Sequence, residues 1–584
     1  MTGKFRKAAA FVTAAIMSFS SASVLSAAVT GSDNPQPLFR AECEDGALTG
    51  VTVTDNIYNT PKPGFSGDGF VWMQNGGSIT FDVTAPETGM YAISTKYMQE
   101  LSEEGRLQYL YINGKQTGSY MLPYCKDWQN FDFGVQRLEK GVNTIEIRAG
   151  WGFAYFDTFT VDYGNLPALD CEPVLTDTNA TKETQSLMNY LCDVYGEHTI
   201  SGQQEIYGDG HDGNYEYEFD FIHDFSDKYP AIRGFDFMNY NPLYGWDDNT
   251  TERAIDWVNE KGGIATASWH INVPKDFANY TVGEEVDWQA CTYKPDGDFD
   301  TAKAVVEGTK EYDYLMAAIE DMAEQLARLQ EAGVPIILRP FHEAEGNGGL
   351  KGEGAWFWWG AAGADVYRQL WTLLYTTLTE KYDLHNIIWE YNSYTYATSD
   401  AWYPGNDLVD IVAYDKYNVV YNRYDGLSNC PNEDAISSIF YELVKLTDGK
   451  KLVAMSENDT IPNLDNLVTE KAGWLYFCPW YGEFIDSETY NYVATMKELY
   501  QSDYVITLDE LPDLKTYAGG SSSTKDPLTG DVNNDKSVNA SDLLALKNHL
   551  LGGTAAVDTV NSDLNSDSKV NIIDLILLIA LLLK

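Results

Sequence analysis

The sequence predicts an α/β chain whose largest part is a (β/α)8 TIM barrel, preceded by a β-sandwich and followed by a small all-α unit that binds calcium. Three observations predict it. Eight short apolar runs alternate with helical stretches between residues 183 and 515, the strand number that such a barrel requires. Short runs of alternating apolar and polar residues fill 38–163, as in an antiparallel sandwich. An Asp/Asn-rich loop occurs twice after residue 528, and each copy leads into an apolar helix.

A length of 584 residues suits several domains. At the N-terminus Lys4, Arg6 and Lys7 precede the apolar run Ala8 to Met17, and the small residues Ser26 and Ala28 follow. This is the pattern of a signal peptide over 1–28, so export is expected. The net charge of −48 repels polyphosphate and excludes nucleic acid as a partner. A neutral glycan is not repelled, and 15 Trp with 40 Tyr supply flat faces for sugar rings. Seven cysteines lie far apart, which fits neither a disulfide scaffold nor a zinc site, so the cores must hold by packing. The apolar stretch Leu575 to Leu583 is much shorter than the ~20 residues that span a bilayer. It reads as an interface helix, and no transmembrane segment is expected.

Linker-like composition at 164–182 and at 516–527, the latter containing GGSSST, separates three units. In the first, 38–163, strands are expected at Ser78 to Val83, Leu107 to Ile112 and Asn143 to Arg148, with an Asn113-Gly114 turn. In the second, 183–515, the strand candidates are Thr199 to Gln203, Ala231 to Phe237, Ile264 to His270, Val334 to Glu343, Asn386 to Asn392, Asp410 to Tyr417, Lys451 to Glu457 and Trp474 to Tyr481. Several end in chemically capable residues: Asp236, His270, Glu343, Asn392, Asp415 with Tyr417, Glu457, and Trp480 with Tyr481. A series of such endings is what a site at the strand C-terminal face of a barrel produces.

Glu343 and Glu457 close the runs PIILRPFHE and KLVAMSE on candidate strands four and seven. Two carboxyl groups at one barrel mouth suit glycosidic cleavage, in which one protonates the leaving oxygen and the other stabilises or attacks the oxocarbenium-like centre. A lone glutamate after a strand usually caps a helix or sits in solvent, so the surrounding motif matters. That motif, ILRPFHEAEGNGGLKGEGAWFWWG, resembles the acid/base region of glycoside hydrolase family 26. The resemblance extends through Ser268 to His270, Asn386 to Ser393, Asp415 with Tyr417, and Ser456 with Glu457. It implies a retaining enzyme with Glu343 as general acid/base and Glu457 as nucleophile, their carboxyls ~5 to 5.5 Å apart, and no metal for catalysis. His270 and His342 can donate to substrate hydroxyls, Asp415 can accept from one, and Tyr417 can hold the nucleophile. Trp356 and Trp480 are candidate stacking platforms. Glu345 to Gly354 departs from shorter members of the family and is expected to form a loop over the cleft.

In the first unit RAECEDGALTG and GWGFAYFDTFTVDY resemble the opening and closing strands of carbohydrate-binding module family 35. The resemblance implies a structural calcium on Glu42, Glu44 and Asp157, with Trp151 as a sugar contact. In the last unit Asp531, Asn533, Asp535, Asn539 and Asp542 recur as Asp563, Asn565, Asp567, Asn571 and Asp574. These are loop positions 1, 3, 5, 9 and 12 of an EF-hand-like calcium site. Two such loops, each before an apolar helix, resemble a dockerin, the module that plugs into a cohesin-bearing scaffold of cellulosome type. Lys536 and Ser568 stand where a turn glycine is common. Ala540-Ser541 against Ile572-Ile573 predicts that the two faces are not interchangeable.

The resemblance implies endo-hydrolysis of β-1,4-mannan or glucomannan. β-1,3-Xylan and mixed-linkage β-glucan are alternative substrates of the same barrel family, and a non-catalytic glycan-binding scaffold component is the alternative of a different class.

Overall fold

The computed structural model describes residues 37–582 apart from 152, 165, 207–209, 422, 424–426, 519–528, 534–537, 551–556, 558–560 and 566–568, and without the side chains of 151, 540 and 580. The expected signal peptide 1–28, the Trp151 side chain, Asp535 and Asp567 lie outside the described residues.

Two antiparallel sheets form the N-terminal unit. One orders Cys125–Leu138, Gly89–Gln99, Ala154–Tyr163, Phe70–Met73 and Thr52–Thr54, with Phe39–Glu42 on Ala154–Tyr163; the other orders Lys115–Leu122, Arg106–Ile112, Gly141–Trp151, Ser78–Ala85 and Ala47–Thr49. Alternation along Ser78–Ala85 sends Ile79, Phe81 and Val83 inward, where the two inner faces share one core. The sandwich meets the barrel through Arg137, whose guanidinium donates to Asp465 at 2.9 Å and to Asn466 at 3.0 Å.

The central unit is a closed parallel barrel with strands β1 (Thr199–Gln204), β2 (Ile232–Asp236), β3 (Ile264–Trp269), β4 (Ile336–Pro340), β5 (Ile387–Asn392), β6 (Ile411–Lys416), β7 (Leu452–Asn458) and β8 (Tyr476–Pro479). Sequential neighbours pair, and β8 closes on β1 through Ile200 opposite Tyr476. Every residue of the eight strands is buried. A strand covered on both faces reads as a continuous apolar run, which is why all eight were visible in the sequence. The longest helix, Lys310–Glu331, is capped by Thr309, whose hydroxyl accepts from the Tyr312 amide at 3.2 Å. It buries Leu315, Ile319, Met322, Leu326 and Leu329 at helical spacing against the barrel.

Among the described residues the C-terminal unit has two helices, Ala540–Leu550 and Ile572–Leu582. Val532, Leu546 and Leu578 make a small core, and the Gly530 amide donates to the Asn561 carbonyl at 2.9 Å, clasping the two repeats together. Ile572, Ile573, Ile576 and Ile579 of the second helix remain 40–60% exposed. Among the described residues no helix is long and apolar enough to cross a membrane.

Candidate active site

The strand C-terminal ends gather the expected residues at one mouth of the barrel, with His270, Glu343, Tyr417, Trp480 and Tyr481 just beyond their strands rather than on them. The run Val334 to Glu343 is not all strand: β4 stops at Pro340. Phe341 and Glu343 have φ of 52° and 51°, a left-handed backbone that cannot continue a ladder and is costly for side chains of this size. The aromatic segment 356–360 over-determines this turn. Trp359 Nε1 donates to the His342 carbonyl at 2.7 Å and Tyr367 Oη to the Phe341 carbonyl at 3.3 Å. Asn392 Oδ1 accepts from the Glu343 amide at 2.9 Å. Gly360 lies so close that a Cβ there would come within 2.0 Å of the Ala344 carbonyl oxygen. The W-F-W-W-G motif is therefore the mould for the turn that presents Glu343.

The two glutamates sit in unlike surroundings. Glu343 Oε1 accepts from the Tyr394 hydroxyl at 2.8 Å. Burial first, then the nearby charges of Asp415 and Glu457, push its carboxyl well above the usual range. Glu457, 5% exposed on β7, takes two donors instead: the Arg339 guanidinium on Oε1 and the Tyr417 hydroxyl on Oε2 at 2.6 Å. Arg339 rises from β4 inside the barrel and also binds Asp415 Oδ2 at 3.1 Å. The Ser456 hydroxyl donates to Asp415 Oδ1 at 2.6 Å. Burial raises Asp415 to about 7 against the opposing pull of Arg339, with the Glu457 charge adding to the rise.

The histidines form a relay rather than two free donors. His270 Nδ1 lies 2.5 Å from Asp236 Oδ2, and its Nε2 is 3.2 Å from His342 Nε2. Burial pulls His270 down, but Asp236 outweighs it and the pKa is raised; burial, Arg339 and His270 hold His342 well below the ordinary value. His342 Nδ1 is a buried atom without a hydrogen-bond partner among the described residues. His270 and His342 are 7% and 2% exposed, and the His270 ring nitrogens lie against Asp236 and His342. Trp356 is 39% exposed with its ring 5.9 Å from that of Tyr394. Trp480 is half-buried beside Tyr481, ring centroids 4.8 Å apart.

Sequence reasoning did not single out Arg339, Tyr394 or Glu345 as site residues, and it noted Asn392 only as a polar strand ending. Arg339 had a usable signal, a lone cation within a buried strand run. Tyr394 had none, because its partner is set by the loop after β5.

In the sandwich, Glu42, Glu44 and Asp157 come together around Ser66 and Lys96. The Lys96 ammonium lies 2.7 Å from Asp157 Oδ2 and donates to the Gly64 carbonyl at 2.8 Å. Ser66 serves Glu42 Oε2 at 2.8 Å and Asp157 Oδ1 at 2.8 Å, and Glu44 Oε1 accepts the Asp68 and Gly69 amides at 3.0 and 3.2 Å. Among the described residues no such group of three acids is disposed to hold a metal. Glu44 Oε2 is buried without a hydrogen-bond partner among the described residues, and Lys96 is the cation paired with Asp157.

The C-terminal loops fit a hard cation better. Asp531, Asp542 and Asp574 are at most 1% exposed. Asp542 Oδ2 accepts the Asn539 amide at 2.8 Å and Asp574 Oδ2 the Asn571 amide at 2.8 Å, the same bond in both repeats. Asp574 Oδ1 is buried without a hydrogen-bond partner among the described residues, an oxygen that a bound calcium would satisfy.

Comparison with known proteins agrees with this organisation. Residues 39–164 match carbohydrate binding module family 35 and 529–583 the dockerin type I domain. A mannan endo-1,4-β-mannosidase of Thermothelomyces thermophilus is 32% identical over 477 residues, 80% of this chain and 90% of that one. Mannan endo-1,4-β-mannosidase B of Piromyces sp. is 30% identical over 81% of this chain and 77% of its own length. Among solved structures, a ruminal GH26 endo-β-1,4-mannanase is 52% identical with a TM-score of 0.76, covering 82% of this chain and 99% of that one. The Podospora anserina GH26-CBM35 β-(1,4)-mannanase is 31% identical with a TM-score of 0.55, covering 82% and 100%. Since the barrel, over residues 176–510, matches the glycosyl hydrolase family 26 profile along more than half of the chain, the protein belongs to that family of glycoside hydrolases.

Proposed function

We propose that this glycoside hydrolase is a secreted, retaining endo-β-1,4-mannanase that cuts mannan or glucomannan by double displacement. The observation that carries the reading is the unlike environment of two carboxyls at one barrel mouth: Glu343 is pushed toward its protonated form, while two donors converge on Glu457. That is the division of labour between acid and nucleophile in a retaining glycosidase. In the first step Glu457 Oε bonds the anomeric carbon, the glycosidic C–O bond breaks, and the Glu343 proton passes to the leaving oxygen. In the second, Glu343 takes a proton from water as the hydroxyl replaces Glu457. His270, His342 and Asp415 contribute to the substrate site, and Trp356 and Trp480 stack on flanking sugars. The relatives' named activity supports mannan as the polymer.

The remaining parts act as follows. The leader over 1–28 directs export. The sandwich, 38–163, holds the enzyme on its polysaccharide, with Trp151 as a contact. The unit at 528–584 binds a cohesin of a cellulosome-type scaffold through the exposed isoleucine face, with calcium held by Asp531, Asn533, Asp535, Asn539 and Asp542 and by Asp563, Asn565, Asp567, Asn571 and Asp574. The test is Glu457→Ala assayed for reducing-sugar release from mannan, xylan and mixed-linkage glucan, beside pull-down on insoluble mannan. Turnover on mannan by the parent, none by the variant, and equal binding by both are expected. Full activity in the variant, or activity of the parent on the glucan alone, refutes the reading.

A further inference from the structure

The segment that departs from shorter family members begins with a carboxylate that the reaction as proposed does not use. Glu345 is 2% exposed, and among the described residues no lysine or arginine reaches it; burial pushes its pKa up, opposed by hydrogen bonds from Ser399, the Tyr394 amide and Ser393. Its Oε2 accepts from the Ser399 hydroxyl at 2.5 Å, and its Oε1 from the Tyr394 amide at 3.0 Å and the Ser393 hydroxyl at 3.3 Å. Burying a carboxyl among neutral donors is expensive, so its retention calls for a positional role. All three donors belong to the loop after β5, which also carries Tyr394, the residue that hydrogen-bonds Glu343 at 2.8 Å.

The two loops are sewn together beyond this point. Tyr396 Oη donates to the Gly346 carbonyl at 3.1 Å, Trp402 Nε1 to the Gly349 carbonyl at 2.9 Å, and the Gly349 amide to Thr398 Oγ1 at 3.3 Å. Tyr396 lies across Gly348, where a Cβ would stand 3.2 Å from its ring. The far end of the segment delivers Trp356, whose ring meets Tyr394 edge-on.

We propose that Glu345 is a positioning residue for acid/base catalysis: it pins the Ser393–Ser399 loop so that the Tyr394 hydroxyl holds Glu343 Oε1 with its proton aimed at the leaving oxygen. This rests on Glu343 being the acid/base, as proposed above. Leaving-group dependence separates the role from simple folding support, since a dinitrophenolate departs without protonation and a sugar alkoxide does not.

The experiment measures kcat/KM, which reports the first step, for a manno-oligosaccharide and for a 2,4-dinitrophenyl β-mannoside of the same length. The proteins are the full chain, Glu345→Ala, Glu345→Gln, Tyr394→Phe and the control Glu343→Gln. Glu345→Ala and Tyr394→Phe are expected to lose about 10- to 100-fold on the oligosaccharide and no more than about twofold on the dinitrophenyl substrate. Glu345→Gln keeps an acceptor for Tyr394 and Ser393 and should lose less than the alanine variant. Because the Tyr394 bond lowers the Glu343 pKa, both losses should come with a basic limb displaced to higher pH. Equal losses on the two substrates, or none, overturn the proposal. If Glu345→Ala does not fold, Glu345→Gln and Tyr394→Phe still decide it. A control Glu343→Gln without leaving-group dependence removes the acid/base assignment itself, a separate failure.

Discussion

Replacing Arg339 by methionine removes the cation that binds both Asp415 and Glu457 while leaving a side chain of similar length. Arg339 binds Asp415 and Glu457 together and is 1% exposed. Taking one partner from a buried ion pair costs ~3 to 5 kcal/mol, because the remaining charge is left in a poorly solvating interior. Each carboxyl here retains one hydroxyl donor, Ser456 for Asp415 and Tyr417 for Glu457, both at 2.6 Å, so the loss should stay within that range rather than double. Its pH dependence is diagnostic. Asp415 titrates at about 7 in the folded parent, above the ~3.9 of an unfolded aspartate. Its neutral form is thus the one that folding favours, and that stability is present below ~4 and lost as pH rises through about 7. Without Arg339 the folded value climbs further, and the gap between variant and parent widens above neutrality by ~1.4 kcal/mol for each added unit. Urea unfolding of the barrel, followed by near-ultraviolet circular dichroism at about pH 5 and about pH 8.5, should show a larger midpoint loss at the higher pH with an unchanged m-value. A deficit below ~1 kcal/mol, or one equal at the two pH values, would refute the assignment of Arg339 as the charge that steadies both carboxyls.

Three further outcomes are expected. Glu343→Gln should lower kcat on mannan by about 10²- to 10⁴-fold, and in the parent kcat/KM should fall as pH rises through the elevated Glu343 pKa, since only the protonated form can donate; a pH-rate profile measures both. Chelation with EGTA should unfold the C-terminal helices while leaving turnover within about twofold, as read by limited proteolysis and an activity assay, because Asp574 Oδ1 has no other partner among the described residues. Lys96→Met should lower the sandwich's thermal midpoint, because the buried Asp157 then loses its paired cation; calorimetry measures the loss, and an unchanged midpoint would show that the pair contributes nothing.

The number and order of the barrel strands were legible in the sequence because each parallel strand is buried on both faces and appears as an apolar run with a polar end. Glu343 and Glu457 stood out through the motif around Glu343 and its resemblance to a known family, and the repeated Asp/Asn-rich loops because their oxygens recur at fixed offsets within a dozen residues. What the chain places far apart was settled only by folding. Arg339 reaches Glu457 across 118 positions and Tyr394 reaches Glu343 across 51, and neither spacing has a period to read. The left-handed turn at Phe341 and Glu343 is forced by the aromatic mould beneath it. Lys96 meets Asp157 because sheet neighbours, absent from any local motif, put an ammonium there. Local pattern thus specified which groups are present and on which strand ends. Tertiary packing decided which of them touch, and through burial and neighbouring charge, which one holds a proton.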